Sequence, residues 1–488
     1  LRVPDNLMPA AEELIRFLPE MIVTVLATAI MVLTPILGER RSLFGHLSIA
    51  ALVCASGAAL YAQTMPGTAF RGMLVIDGFG SFFRLLILGV GVLTVLSSYR
   101  YLDRELAETG EYHALVLYSI VGQMIMANAN DLIIIFIGLE ISSIATYVLA
   151  GYLREDKRNN ESALKYFLLG SFATAFFLYG VALVYGGTGA TNLTAIRAAV
   201  SGPEPPTGLL LGTAAALMFV GLGFKISGAP FQMWAPDVYQ GAPTPVTAFM
   251  SAGPKAAAFA VFLRIFMTAF EPIGANWEPL VWTSALLSMT IGNFAALTQS
   301  NIKRMLAYSS IAHAGYVLVA LTARSENGTA AVMFYLAAYA LMNIGAFAVV
   351  AHLCGRGERF VNVDDFAGLG VKQPWTAAML TIFLLSLIGV PLTAGFFGKF
   401  YIFKAALESN LVWLTVLGLL NSAVAAYYYL RILVVMYMHE PGEAAANVEP
   451  VPPGLRTALL LPALGTLLLG IFPGVVLDFA GRSAVLVK

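Results

Sequence analysis

Charge is what this sequence has least of. Of its 488 residues only 11% are Asp, Glu, Lys or Arg, less than half the roughly 25% of an ordinary soluble domain. Basic and acidic residues balance at 28 each, so no positive field exists to draw a polyanion, and a nucleic-acid partner is excluded. Cysteine is nearly missing. Cys54 and Cys354 lie far apart, no CxxC occurs, and the five histidines show no ligand spacing. A disulfide framework, haem, iron–sulfur clusters and structural zinc need more thiolates or imidazoles than that. Neither a GxGxxG turn nor a GxxxxGK[ST] loop is present, so neither a dinucleotide nor ATP is expected to bind. The chain is expected to carry no cofactor and no redox centre of its own.

Apolar length takes the place of charge. Hydrophobic residues make up 59% of the chain, with a mean hydropathy of +0.79. A bilayer core takes roughly 20 apolar residues per helix, and the runs divide into about 14 such spans. Among them, residues 73–98, 112–128, 132–153, 208–239, 245–270, 302–321 and 374–404 are the third, fourth, fifth, seventh, eighth, tenth and twelfth. The expected fold class is an all-α polytopic membrane protein, with the lipid bilayer as its surroundings. Fourteen lysines and arginines, Arg40 and Arg41 among them, fall in loops after odd-numbered spans. Nine, including Arg2 and Lys488, fall in the termini and the other loops. The richer side is expected to be cytoplasmic, which turns both termini outward. Five basic residues remain, all within spans: Arg84, Lys165, Lys225, Lys255 and Lys399.

Depth makes this remainder informative. At ~1.5 Å per residue, Glu140 lies about 14 Å beyond Asp131, and Lys255 about 15 Å beyond Pro245. Lys225 is equally central. An ionised group there costs ~2.5–3.5 kcal/mol, so Glu140, Lys225, Lys255 and Lys399 together cost on the order of 10 kcal/mol. One reading is a set of structural ion pairs. Three lysines against one glutamate cannot all be neutralised pairwise, however, and the imbalance favours titrating sites. A buried lysine loses proton affinity through desolvation and regains it from a nearby carboxylate, which is what a proton relay requires. Arginine hardly deprotonates, so Arg84 reads as a fixed charge paired with Asp77. Lys165, near a span end, either snorkels to the interface or hands protons to or from Glu140. His313, about 15 Å into the tenth span, is either a packing residue or a further relay member. Lys303 and Arg304 read as topology signals.

Two spans carry breakers. Residues 208–239 contain Ser227-Gly228-Ala229-Pro230, and residues 374–404 contain Gly389-Val390-Pro391 and Ala394-Gly395. Proline removes a backbone donor and clashes with the preceding turn, and broken helices are tolerated in lipid only where they face protein or a wet cavity. Ser142-Ser143-Ile144-Ala145 in the fifth span recurs as Ser309-Ser310-Ile311-Ala312 in the tenth. The broken seventh and twelfth spans are also five apart. This spacing fits two inverted five-helix units, spans 4–8 and 9–13. The expected division is residues 1–111 for helices 1–3, 112–270 for the first unit, 271–438 for the second, and 439–488 for a loop and the last helix.

Several longer stretches carry a family resemblance. They are Phe136-Ile137-Gly138-Leu139-Glu140-Ile141-Ser142-Ser143, Asn160-Glu161-Ser162-Ala163-Leu164-Lys165-Tyr166-Phe167, and Trp234-Ala235-Pro236-Asp237-Val238-Tyr239-Gln240-Gly241-Ala242-Pro243-Thr244-Pro245-Val246 with Pro254-Lys255. Ser309-Ser310-Ile311-Ala312-His313-Ala314-Gly315-Tyr316 and Gly395-Phe396-Phe397-Gly398-Lys399-Phe400 follow. The chain resembles the antiporter-like membrane subunits of respiratory complex I, a family that includes subunits L, M and N and the multisubunit sodium/proton antiporters, and its motifs are most similar to the N branch. The resemblance implies that Glu140 pairs with Lys225 in a first half-channel, that Lys255 links to a second, and that Lys399 faces the outer side. It implies a bacterial inner membrane, where the outward termini expected from the charge bias would be periplasmic, with an antiporter-like M subunit and small K and J subunits as partners. NADH, flavin (FMN), iron–sulfur clusters and quinone would sit in partner subunits. Gln232 departs from the pattern, since the family usually has histidine there. The implied activity is proton translocation within a NADH:quinone oxidoreductase; the alternative is a subunit of a sodium/proton antiporter.

Overall fold

Capping residues decide where each apolar run becomes a helix. In the computed structural model, which describes residues 10–37, 41–107, 109–446 and 449–484, the principal helices are α1 (Leu18–Leu37), α2 (Arg41–Gln63), α3 (Gly78–Arg104), α4 (Gly110–Asn128), α5 (Leu132–Ala150), α6 (Lys157–Thr188), α7 (Gly208–Ile226) and α8 (Trp234–Gly241). They continue as α9 (Thr244–Arg264), α10 (Gly274–Leu297), α11 (Ile302–Thr322), α12 (Glu326–Leu353), α13 (Pro374–Ile388), α14 (Ala394–Glu408), α15 (Val412–Met438) and α16 (Pro453–Ile471). Asp77, Asp131, Asp156, Asn301 and Ser325 each accept a backbone N–H of the first turn they precede, satisfying donors that no intrahelical carbonyl can reach. The chain is a multi-pass membrane protein. Among the described residues, twelve helices are long and apolar enough to cross a bilayer. The count of about 14 is reached only by adding α4 and the α13–α14 pair. Arg2, Arg40, Lys488 and both termini lie outside the described residues.

Burial grades from the centre outward. In the most apolar stretches of α9, α11 and α12, 94%, 94% and 89% of residues are buried, against 39% in α2, α6 and α15. The outer helices therefore present apolar faces such as Phe172, Tyr179, Trp413 and Leu420, as lipid contact requires. Where α4 meets α5, backbone touches backbone: a Cβ on Gly122 would stand 2.5 Å from Gly138 O. That approach brings Ser119 within 3.0 Å of Ser142.

Both expected breaks are present. α7 ends at Ser227, which adopts a left-handed φ of 59°, and α13 ends at Gly389 with φ 92°. α8 and α14 then resume after short non-helical segments.

Other boundaries differ from the sequence expectation. The third span was expected to begin at residue 73, but Leu74–Ile76 forms a strand, β2, paired antiparallel with β1 (Gly67–Ala69). Three consecutive positive φ values, at Phe70, Arg71 and Gly72, turn the hairpin, and Asp77 then starts α3. Arg16 lies before the first long helix and fastens this hairpin, donating to Met65 O at 3.0 Å and Thr68 O at 2.9 Å.

Two charge assignments also change. Arg84 does not pair with Asp77. It pairs in bidentate fashion with Glu20 of α1, at 2.8 and 2.9 Å, with both side chains fully buried. Asp77 caps α3 and turns its carboxylate to Arg264 of α9, at 2.8 Å. Seven residues separate Asp77 from Arg84, about 10 Å along the helix, and each finds a nearer partner on another helix. Lys303 is more than a topology signal, being fully buried against Glu358 at 2.6 Å.

Candidate functional site

Helical spacing aligns the first group of residues. Glu140, Ser143 and Tyr147 stand three and four residues apart on α5 and so share a face. Lys225, in the last turn of α7, donates to Ser143 Oγ at 2.8 Å and to Tyr147 OH at 3.1 Å. Its ammonium also lies 5.1 Å from the Tyr147 ring centre and 5.8 Å from that of Tyr166, distances at which ring faces attract a cation. Glu140 is within electrostatic reach of Lys225 and Tyr147, yet it makes no direct ion pair with Lys225. Its Oε1 is buried with no hydrogen-bond partner. Ser142, next to Ser143, continues a polar line through Ser119 to Gln123, at 3.0 and 2.9 Å.

Lys255 occupies the centre. Only 2% exposed, it donates to the carbonyl and hydroxyl oxygens of Ser310 on α11, at 3.0 and 2.5 Å. The repeated Ser-Ser-Ile-Ala motif therefore does the same job twice: its second serine, Ser143 or Ser310, accepts from a lysine of a neighbouring helix. On the same face of α11, His313 contacts the hydroxyls of Tyr335 and, at 3.1 Å, Tyr429, which also bonds Ser309. His313 is within electrostatic reach of both Lys255 and Lys399.

Lys399, on α14, reaches back across the second break. It donates to Leu387 O at 3.1 Å, Ile388 O at 2.8 Å and Ser422 Oγ at 2.8 Å, and lies 5.0 Å from the Tyr316 ring centre. Leu387 and Ile388 are the last residues of α13, whose unsatisfied carbonyls and dipole favour a cation. Lys225 is likewise at the carboxyl end of α7. At each break, a helix C-terminus supplies partial negative charge beside a lysine without supplying a carboxylate.

Among the described residues, then, none of Glu140, Lys225, Lys255 and Lys399 is in a direct ion pair, whereas Arg84, Arg264 and Lys303 are. All three lysines have a hydroxyl partner, joined by backbone carbonyls at Lys255 and Lys399 and by ring faces at Lys225 and Lys399, and each of these can face an ammonium or a neutral amine. Lys165 belongs to another group. Partly exposed, it bridges Glu161 and Asp237, each at 2.7 Å, and Asp237 also binds Arg304 at 2.6 Å. It touches Asp237 rather than Glu140. Gln232 lies just past the first break with its Oε1 buried and unpartnered. Among the described residues no group of His, Cys, Asp and Glu could hold a metal ion.

Sequence reasoning passed over Tyr147, Tyr166, Tyr316, Tyr335 and Tyr429. A tyrosine in an apolar run reads as core, and only the neighbouring helices show where its hydroxyl ends. Glu358 was missed too, since an acidic residue in a charged loop reads as solvated.

A family model described as "NADH:quinone oxidoreductase/Mrp antiporter, TM" matches residues 129–425, a stretch holding both breaks and all four of these residues. The chain belongs to this family. It is 70% identical over 478 residues, covering 98% of both chains, to a protein of Solibacter usitatus named NADH-quinone oxidoreductase subunit N 1. It is 50% identical, over 96% of both, to subunit N 2 of Koribacter versatilis. A chain in respiratory complex I from Thermus thermophilus superposes with a TM-score of 0.82 at 37% identity, covering 95% of this chain and 99% of that one. A chain in the Mrp complex from a Dietzia species, 21% identical over 97% of both chains, shares the fold with a TM-score of 0.82. Within the family, the chain sides with the antiporter-like subunits called N.

Proposed function

We propose that this chain is the N-type proton-translocating membrane subunit of a NADH:quinone oxidoreductase. It moves protons along Glu140, Lys225, Lys255 and Lys399, coupled to quinone reduction in partner subunits. One observation carries this reading: the three lysines, Lys255 and Lys399 buried and Lys225 half-buried, have only uncharged direct partners. A lysine held by a carboxylate keeps its proton, whereas one held by hydroxyls and carbonyls changes state when a nearby charge moves. Glu140, with an unpartnered buried oxygen and within reach of Lys225, is such a charge. His313 extends the path between Lys255 and Lys399, and Lys165 with Asp237 lies at the edge of the first half.

The repeated motif and paired breaks support two units, residues 112–270 and 271–438, in inverted orientation. The 70% identity to a subunit N favours the oxidoreductase over the sodium/proton antiporter. On that reading the bacterial inner membrane is the location, the termini are periplasmic, and subunits M, K and J are neighbours. NADH, FMN, iron–sulfur clusters and quinone are then held by partner subunits.

The test is proton pumping by inverted membrane vesicles carrying Lys225→Ala, with assembly verified and NADH:quinone turnover followed in parallel. Loss of both in an intact complex is expected. Full pumping would return these charges to a structural role.

A further inference from the structure

A basic cleft lies away from the relay, where two long helices end. About 340 Å³ in volume, it is lined by Arg100 and Arg104 near the carboxyl end of α3, by His352 near that of α12, and by Arg356, Phe360 and Glu449. Three guanidiniums share this lining with one carboxylate.

The arginines are committed to different degrees. Arg104 is fastened, donating to Ala351 O at 3.1 Å, His352 O at 3.3 Å, Cys354 Sγ at 3.1 Å and Glu105 at 3.4 Å. Arg100 donates to Asp103 at 3.1 Å and to Glu449, which leaves three of the five N–H groups a guanidinium carries. Arg356 is exposed and, among the described residues, has neither a hydrogen-bond nor an ion-pair partner. Asp103 and Glu449 are exposed too. Exposed ion pairs are worth little, so a better anion replaces Glu449 at small cost. Phosphate is that anion, because planar guanidiniums meet its oxygens two at a time.

An apolar track begins beside the cleft. α16 starts at Pro453, four residues past Glu449, and a Cβ on its Gly454 would stand 3.9 Å from Leu96 O and from the Tyr99 ring of α3. Arg456, Leu460, Leu464 and Leu468 then follow at intervals of four, all exposed, which lines them up along the helix. This stripe of one arginine and three leucines is about 18 Å long, enough for one leaflet of a ~30 Å hydrocarbon core. It ties the phosphate to a lipid: the end of α3 is on the side expected to be cytoplasmic, where basic residues near the surface attract anionic headgroups.

We propose that the cleft holds the phosphate of an anionic phospholipid. Arg100, Arg104 and Arg356 meet the headgroup oxygens, and an acyl chain lies along the α16 stripe. Glu449 occupies Arg100 until the phosphate takes its place. The bound headgroup then bridges the ends of α3 and α12, which lie far apart in sequence. The site is independent of the proton relay.

The experiment is native mass spectrometry of the detergent-purified, delipidated full chain titrated with dioleoylphosphatidylglycerol, with dioleoylphosphatidylcholine as the zwitterionic control. The parent is expected to bind phosphatidylglycerol the more tightly. An arginine near an anionic lipid surface contributes about fivefold in affinity. Arg100→Gln with Arg356→Gln is therefore expected to weaken phosphatidylglycerol about thirtyfold and to leave phosphatidylcholine unchanged. Glu449→Gln removes the competing carboxylate and is expected to tighten phosphatidylglycerol. Parental affinity in the double arginine variant would overturn the site, as would equal binding of the two lipids by the parent. Displacement of bound phosphatidylglycerol by millimolar inorganic phosphate would mark a free-phosphate site and overturn the lipid assignment. Should the double variant fail to fold, Arg356→Gln, which removes no contact, decides on the same criteria with a loss of about fivefold.

Discussion

The Glu20–Arg84 pair tests whether charges that hold helices together are distinct from those of the proposed proton relay. Arg84 makes two hydrogen bonds to the Glu20 carboxylate and one, at 3.1 Å, to Arg16 O. Replacing Glu20 with Ala leaves a buried guanidinium with that single carbonyl. Breaking a buried pair in this way costs about 3–5 kcal/mol, and 4.1 kcal/mol is about a thousandfold in the folding equilibrium. Removing both charges in Glu20→Leu with Arg84→Met abolishes the orphan, and such exchanges are often neutral or stabilising by about 1–4 kcal/mol. Thermal unfolding of the detergent-purified protein should therefore rank the double variant near the parent and Glu20→Ala far below it. In vesicles, the assembled double variant should pump at the parental rate. A stable double variant that assembles but does not pump would refute the division, because it would put this pair on the proton path.

Three further outcomes follow from other contacts. Ser143→Ala removes one of two hydrogen bonds to the Lys225 ammonium; such bonds to charged groups are worth about 1.5–3 kcal/mol, and a drop in pumping with assembly unchanged is expected in vesicles. Gly122→Ala forces α4 from α5 and, as overpacking, is expected to cost about 1–3 kcal/mol, read as a lower unfolding temperature. Burial works to raise the Glu358 pKa, but Lys303 and its hydrogen-bond donors hold it below the ordinary glutamate value of 4.5. Its contribution to stability is thus complete above the unfolded pKa and disappears as pH falls through the lower folded one. The difference in unfolding temperature between parent and Glu358→Gln should be constant from pH 8 to about 6 and shrink only below the unfolded value.

Much of this was legible in the sequence for identifiable reasons. Apolar runs and proline–glycine breaks depend on local chemistry alone, so the broken seventh and twelfth spans were readable at Ser227-Gly228-Ala229-Pro230 and Gly389-Val390-Pro391. The expected depth of Lys225 and Lys255 came from counting residues along a helix. Partner choice was not readable in the same way. Arg84 was matched to Asp77 because both fall in one apolar run, while its partner Glu20 is on α1, 64 residues away. The hairpin at Gly67–Ile76 escaped because Met73-Leu74-Val75-Ile76 is as apolar as a helix start, and only the three positive φ values before it turn the chain. The tyrosines around Lys225 and His313 come from helices distant in sequence and meet only in the packed bundle.

The central claim is that the midplane lysines change protonation state, and Lys255→Arg in the assembled complex tests it most directly. Arginine keeps the positive charge and can reach the Ser310 oxygens, but it hardly releases a proton. If Lys255 is a relay member, the variant assembles and does not pump. Pumping at the parental rate with arginine at this position would contradict the account, because a fixed charge would then suffice.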